Sequence, residues 1–394
     1  MTTWSERLAA VGLSSGAAEL ATRYFTEAAA RYEALFGRAD DALAWWVPGR
    51  IEVLGKHTDY GGGRSLVCAV ERGFHVLAGP RDDDVVRIVD ASTGAATVIP
   101  FRDDAEPRPG HWTDYPITVV RRLARDFPDA HRGMNAVIRS SLPSASGLSS
   151  SSALVIASFL PLAAFNALAS TTTWARMIGD GDALAGYLGA VENGRAFGDL
   201  PGDRGVGTHG GSEDQTAILR SVPRQLLQYH FVPVTHEATI ALPDGWQFVV
   251  AMSGVHAAKG GAVQVRYNAL ADDVATLLAT WRDHTGRTDQ SLFAALQSAP
   301  DAGDVLASVI AHAGYAVTTT LQPRLAQFRT ETEVIIPDVA RRLAAGDVWG
   351  LRDPVARSQA LAETVLHNQI PETSHLAQSA TDLGAAAASA FGAG

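Results

Sequence analysis

Apolar residues recur at helical spacing from Ala17 to Phe36, and the run ends in a loop at Gly37–Asp41. Shorter stretches of alternating or β-branched character follow at Arg50–Leu54, Ser65–Val70, Phe74–Ala78, Val85–Asp90 and Met134–Arg139. Turn residues bound each of them, which predicts strands. His111–Phe127 predicts a helix entered through a loop. Ala153–Leu168 is an almost wholly apolar run that predicts a buried helix bent at Pro161. Ala183–Ala196 predicts another helix, which ends in a Gly/Pro/Asp-rich loop at Gly198–Gly211. The second half predicts strands at Gln225–Val234 and Trp246–Ser253. Helices are predicted there at Val263–Thr280, Leu292–Ala299, Arg324–Leu343 and Pro354–Leu366. No internal repeat or low-complexity segment interrupts the pattern. Local rather than strict alternation of β and α points to an α+β chain, and 394 residues leave room for two domains.

Composition changes that picture little but excludes several functions. Hydrophobic residues make up 46% and charged residues 19%, and mean hydropathy is +0.03, as in a chain with a large core. Lys plus Arg number 32 against 42 Asp plus Glu, a net charge of −10 with no basic cluster. That argues against nucleic acid or an anionic membrane as partner. The single cysteine, Cys68, rules out an internal disulfide framework and a multi-cysteine zinc site. Its apolar surroundings favour a buried small hydrophobe over a nucleophile. The N-terminus (MTTWSERLAAVG) lacks a basic start followed by an apolar core, and no segment approaches 18 uninterrupted apolar residues. A cytoplasmic location is expected.

The chemistry concentrates first at Pro143–Leu154 (PSASGLSSSSAL), between the strand at Met134–Arg139 and the apolar helix. A small-residue loop feeding a helix N-terminus is an anion site, because the first N–H groups lack internal partners and carry the positive end of the dipole. Gly147 allows close backbone approach, and the serines offer hydroxyls to phosphate or Mg²⁺. A Ser-rich capped turn is the bland alternative. Two lookalikes fail. Gly49–His57 resembles a P-loop, but five residues separate Gly49 from Gly55 where four are needed, and Lys56 precedes His57 rather than Ser or Thr. Gly205–Gly210 fits G-x-G-x-x-G yet follows a Pro/Asp-rich loop instead of a strand.

Three segments belong together: Pro48–Gly62 (PGRIEVLGKHTDYGG), the serine loop, and Gly207–Gln215 (GTHGGSEDQ). With Trp112-x-x-Tyr115, Glu192-Asn193 and Tyr267-Asn268 in order, the set resembles the galactokinase branch of the GHMP small-molecule kinases. The resemblance implies a two-domain GHMP kinase fold. A ribosomal protein S5-like N-terminal domain would span 1–222 and an α+β C-terminal domain 223–394, with the active site in the cleft between them. It implies ATP-dependent phosphorylation of a monosaccharide at the C1 hydroxyl, with ATP and Mg²⁺ as cofactors, a sugar as partner and a monomeric enzyme.

Residue by residue, the resemblance maps Asp214 to the catalytic base and Arg50 to the arginine that stabilises transition-state charge. Ser151 and Glu192 map to the Mg²⁺ ligands. Lys56, His57, Thr58, Asp59 and Tyr267 map to sugar-contacting positions. Ala145, Ser146, Gly147, Leu148, Ser149, Ser150 and Ser151 map to the ATP phosphate loop, and Trp112 with Tyr115 to the segment beside the adenine. Read as bare residues, Glu192 is a solvated helix carboxylate, Asp214 a cap, Arg50 a strand-edge arginine, and the two aromatics core.

The pattern departs from the family in several places. Lys56 stands where galactokinases carry glutamate, exchanging an acceptor-only group for a donor-only one. That suggests a sugar with an acidic group near C6, such as galacturonate, unless Lys56 pairs with Glu52 or Glu213. The stretch around Asp199–Thr208 makes the Glu192–Asp214 spacing about ten residues longer than the family norm, as a lid or interface would. The arginine usual after Tyr-Asn is missing. The chain stops inside the family's last glycine-rich motif at Ala390–Gly394, and an extended version is expected to be more stable. A non-catalytic sugar-binding regulator is the alternative from another functional class.

Overall fold

The structure, a computed structural model, describes residues 3–38, 40–143, 146–255 and 261–392. Its strands are β1 (Leu43–Leu54), β2 (Arg64–Pro80), β3 (Val85–Asp90), β4 (Ala96–Pro100), β5 (Met134–Ser140), β6 (Gln225–His230) and β7 (Thr235–Ala241). They form one sheet in the order β4-β3-β5-β2-β6-β7, with β1 also paired to β2. Among the described residues only the β3–β5 pair is parallel.

The helices are α1 (Trp4–Ala10), α2 (Ser15–Phe36), α3 (Asp114–Asp126), α4 (Ser150–Phe165), α5 (Thr172–Met177), α6 (Gly181–Asn193) and α7 (Glu213–Arg220). After β7 come α8 (Ala262–Thr285), α9 (Leu292–Leu296), α10 (Ala302–Ala311), α11 (Tyr315–Arg329), α12 (Ile336–Ala344), α13 (Arg352–Leu361) and α14 (Pro371–Asp382). Among the described residues no helix is long and apolar enough to cross a membrane.

β2 is the spine. Its far half, Phe74–Pro80, pairs with β5, its near half, Arg64–Val67, pairs with β6, and β1 runs along most of its length. The two strands expected at 65–70 and 74–78 are therefore one strand of 17 residues. The chain crosses the junction at Gly73, where a Cβ would strike the Val47 carbonyl oxygen. Strand alternation sorts the side chains onto two faces. Val76, Ala78, Ile88 and Ile138 join the main core with Val119, Val155, Ile156 and Leu188. Leu77, Val89 and Val137 face α2, against Ala28 and Tyr32. α4 is apolar all round because the core encloses it, and it continues through Pro161 to Phe165.

Beyond β7 the described chain is helical. α8, α9, α10 and α11 share a core of Leu277, Leu306, Ile310, Leu325 and Phe328, which also takes in Tyr60 from the first half. β6 and β7, from beyond residue 222, extend the first half's sheet. α11 and α12 are joined by a π-turn over Thr330–Ile335 that carries the fully buried Glu331. The strand expected at Trp246–Ser253 is absent. No described strand runs beside that segment, so its backbone has no ladder to join, and Val249 and Met252 are exposed. The short elements α1 and β4 have too few periodic positions to stand out in the sequence.

Candidate active site

Arg50 enters the site from β1, beside a register shift at Pro48/Arg50. It is buried, and it donates from Nε and Nη2 to Asp214 Oδ1 at 2.7 and 2.5 Å. Its Nη1 donates to the Gly147 carbonyl at 2.7 Å, and Glu213 lies 3.7 Å from Nε. Burial works against the charged guanidinium, but the carboxylates of Asp214, Glu213 and Glu52 more than reverse this, leaving its pKa raised. Asp214 sits in the first turn of α7. Its other oxygen, Oδ2, accepts hydrogen bonds from Ser149 Oγ at 2.6 Å and Ser152 Oγ at 3.1 Å, in the cap and first turn of α4. The arginine, the aspartate and the serine loop, far apart in sequence, thus meet at one helix N-terminus.

The turn after β1 holds the next group. His57 is buried with φ 58°, a conformation rare outside glycine, and Ser149 shares it at φ 55°. His57 Nδ1 lies 3.1 Å from the Tyr60 hydroxyl, and its ring packs 5.1 Å from that of Tyr267. Asp59 Oδ2 accepts from the Glu213 amide at 3.2 Å. A Cβ on Gly211 would strike Asp59, so only glycine lets that loop approach. Burial raises the pKa of both Asp59 and Tyr267. Thr58 is fully buried, its hydroxyl 2.8 Å from both the Gly55 and Arg64 carbonyls, so it supports the turn from behind. Lys56 is also buried, and its ammonium donates to Ser358 Oγ at 3.1 Å and Ser389 Oγ at 2.7 Å.

Burial, with Arg324 nearby, pushes His57 down to about 3, so the imidazole is neutral at pH 7. Because the folded pKa lies below the unfolded one, the unfolded chain takes the proton first on acidification. Stability should therefore fall as pH drops from 6.5 towards 3, with His57 contributing about 2 kcal/mol of that loss at pH 5. Melting midpoints of wild type and His57→Gln between pH 7 and 5 check this. The variant should show the shallower decline, and parallel curves would refute it.

Ser151 lies in the first turn of α4 and Glu192 near the end of α6. Tyr115 joins them: its phenol is hydrogen-bonded to Ser151, and its pKa is pushed up to about 12 by burial and then by the Glu192 carboxylate. Gln215 Nε2 donates to Glu192 Oε2 at 2.6 Å, and its own buried Oε1 has no partner. Ser146 bonds the Pro143 carbonyl, Leu148 O accepts from the Arg50 amide, and Ser150 opens α4. Ala145 lies outside the described residues. Trp112 and Tyr115 both rest half-buried against the main core.

Arg324 and Glu331 escaped the sequence reading, which named Glu52 and Glu213 only as partners for Lys56. Glu52, Glu213 and Glu331 are buried beside the site. Burial pushes Glu52 up to about 7 despite Arg50 and Lys56, and burial with Glu52 alongside raises Glu213 well above the usual range. Arg324 on α11 donates to the His57 carbonyl at 2.5 Å and the Tyr60 hydroxyl at 3.0 Å. Glu213 was findable by adjacency to Asp214. Arg324 lies in an ordinary helical pattern and gave no signal. The Asp199–Thr208 stretch belongs to a strap between α6 and α8. Asn193 Oδ1 accepts from Thr208 Oγ1 and the Gly210 amide, while Asn268 bonds the His209 amide and the Gly207 carbonyl.

Two segments match family models: the galactokinase galactose-binding signature over residues 30–80 and the GHMP kinases N terminal domain over residues 114–190. A galactokinase of Staphylococcus saprophyticus is 32% identical over 120 residues, 30% of this chain and 31% of that protein. One of Streptococcus mutans is 36% identical over 116 residues, 29% of this chain and 30% of that protein. The chain thus aligns with under a third of the length of these curated relatives. The structure of Lactococcus lactis galactokinase complexed with galactose matches with a TM-score of 0.72 at 20% identity, covering 93% of this chain and 86% of that one. Streptococcus pneumoniae phosphomevalonate kinase matches at 0.50 and 15% identity, covering 89% of each chain. At such identities the structural likeness is one of fold, that of the GHMP kinases.

Proposed function

We propose that this chain, a galactokinase-like member of the GHMP small-molecule kinase family, phosphorylates galactose or a close relative. The γ-phosphoryl group of ATP is transferred to the C1 hydroxyl, giving the sugar 1-phosphate and ADP. The observation that carries this reading is the Arg50–Asp214 pair held against the N-terminus of α4. Phosphoryl transfer asks for positioning and charge neutralisation more than for covalent chemistry, and this pair supplies both.

In this reading Asp214 takes the proton of the C1 hydroxyl as the sugar oxygen bonds to the γ-phosphorus and the bond to the ADP oxygen breaks. Arg50, permanently charged, keeps Asp214 ionised and faces the developing negative charge. Neutral His57, Asp59 and Tyr267 orient the sugar hydroxyls. Ser151 and Glu192 fit Mg²⁺, since hydroxyl and carboxylate are hard oxygen donors brought together around Tyr115. The orphaned Oε1 of Gln215 beside Glu192 suits an ion that keeps its waters. Mg²⁺, when bound, neutralises phosphate charge. Residues 1–222 act as the nucleotide and sugar domain in this reading, and residues 223–394 contribute Tyr267.

Lys56 bears on the choice of sugar. With its ammonium engaged by Ser358 and Ser389, close to the Glu52 and Glu331 carboxylates, it has local partners of its own. That favours galactose over a uronic acid. ATP consumption against galactose, glucose, N-acetylgalactosamine, arabinose and galacturonate tests the reading. Galactose should lead. Faster turnover of galacturonate would return Lys56 to the sugar site, and silence on every sugar would favour a binding regulator.

A further inference from the structure

Asp214 meets more donors than a working base has room for. A carboxylate offers about four acceptor positions, two on each oxygen. Arg50 fills Oδ1 with two N–H groups, and Ser149 and Ser152 each point a hydroxyl at Oδ2. A sugar hydroxyl approaching this carboxylate must displace one of the four. The arginine bonds are charge-assisted and held by burial, and the Ser149 bond is 2.6 Å long. The Ser152 bond is the longest at 3.1 Å. Ser152 is also the residue with somewhere to go. Ser152 lies in the first turn of α4, and a serine there can turn its hydroxyl to the carbonyl three residues back, that of the cap residue Ser149.

We propose that Ser152 is an exchangeable placeholder on Asp214. Its hydroxyl occupies the acceptor position that the sugar's C1 hydroxyl takes, and it turns away when the sugar binds. Ser149 stays and fixes the carboxylate. This rests on the reading of Asp214 as the sugar-facing base and adds a specific consequence. Deleting the placeholder tightens sugar binding, since the sugar no longer competes with it. Loss of a donor to the ionised carboxylate also makes Asp214 more basic. Ser152 acts through Asp214 and is a positioning residue.

The experiment is calorimetric titration of the full chain with galactose, without nucleotide, for wild type, Ser152→Ala and Ser149→Ala. Ser152→Ala should lower the galactose Kd about three- to tenfold. It should also move the acid limb of the kcat/KM profile to higher pH. Ser149→Ala should lower kcat without that tightening. Should Ser152→Ala fold poorly, Ser152→Cys, similar in size and a weaker donor, reads the same shift. An unchanged or higher Kd for Ser152→Ala, beside a wild type that turns over galactose, overturns the placeholder and leaves the kinase reading standing. A wild type that neither binds nor phosphorylates any sugar overturns both.

Discussion

Asp214→Asn is expected to lower kcat about a thousandfold, in the middle of the range of general-base contributions. The substitution keeps the size and removes the charge. The new amide cannot take a proton, and its NH₂ brings donors to a place where Arg50, Ser149 and Ser152 already donate. Arg50 then has Glu213 at 3.7 Å as its nearest remaining carboxylate. Both the base and the aim of the arginine are lost together. Steady-state turnover and a melting curve of the variant check this, since folding should survive. A kcat within tenfold of wild type would remove Asp214 from the mechanism.

Arg324→Met is expected to have the largest effect on stability. Arg324 is 1% exposed, and its guanidinium binds the His57 carbonyl, the Tyr60 hydroxyl and Gln327 Oε1. Methionine fills much of the volume but leaves those acceptors in a dry interior, where each unmade bond costs about 1–3 kcal/mol. A loss of about 3–5 kcal/mol is expected for the three acceptors together. The turn carrying His57 loses its anchor, so the KM for sugar should rise while kcat changes less. Chemical denaturation and a KM–kcat comparison separate the two effects. Unchanged stability would show that the helix, and not the arginine, holds the turn.

Much of the N-terminal half was legible in the sequence, and the reasons are local. α2 and α3 follow from apolar stripes at helical spacing, and β3 and β5 from short β-branched runs between turns, which the fold buries on both faces. The gathering of Arg50, the serine loop and Asp214 was legible only through the resemblance of three motifs. Residues 50, 149 and 214 carry no mark of being neighbours. What was missed depends on contacts between distant elements. The continuous β2 rests on Gly73 passing Val47, and the roles of Arg324 and Glu331 arise where the second half's helices cover the turn after β1. The segment at 246–253 failed in the opposite sense. Its residues have strand character, but a strand also requires a neighbour.

Product identity tests the central claim most directly. Wild-type protein incubated with ATP, Mg²⁺ and galactose should yield one phosphorylated sugar whose phosphorus NMR signal couples to the anomeric proton, marking phosphate on C1. The same incubation with Asp214→Asn should yield almost none. Phosphate on another hydroxyl, or equal product from the variant, would contradict the assignment of Asp214 and Arg50 to transfer at C1.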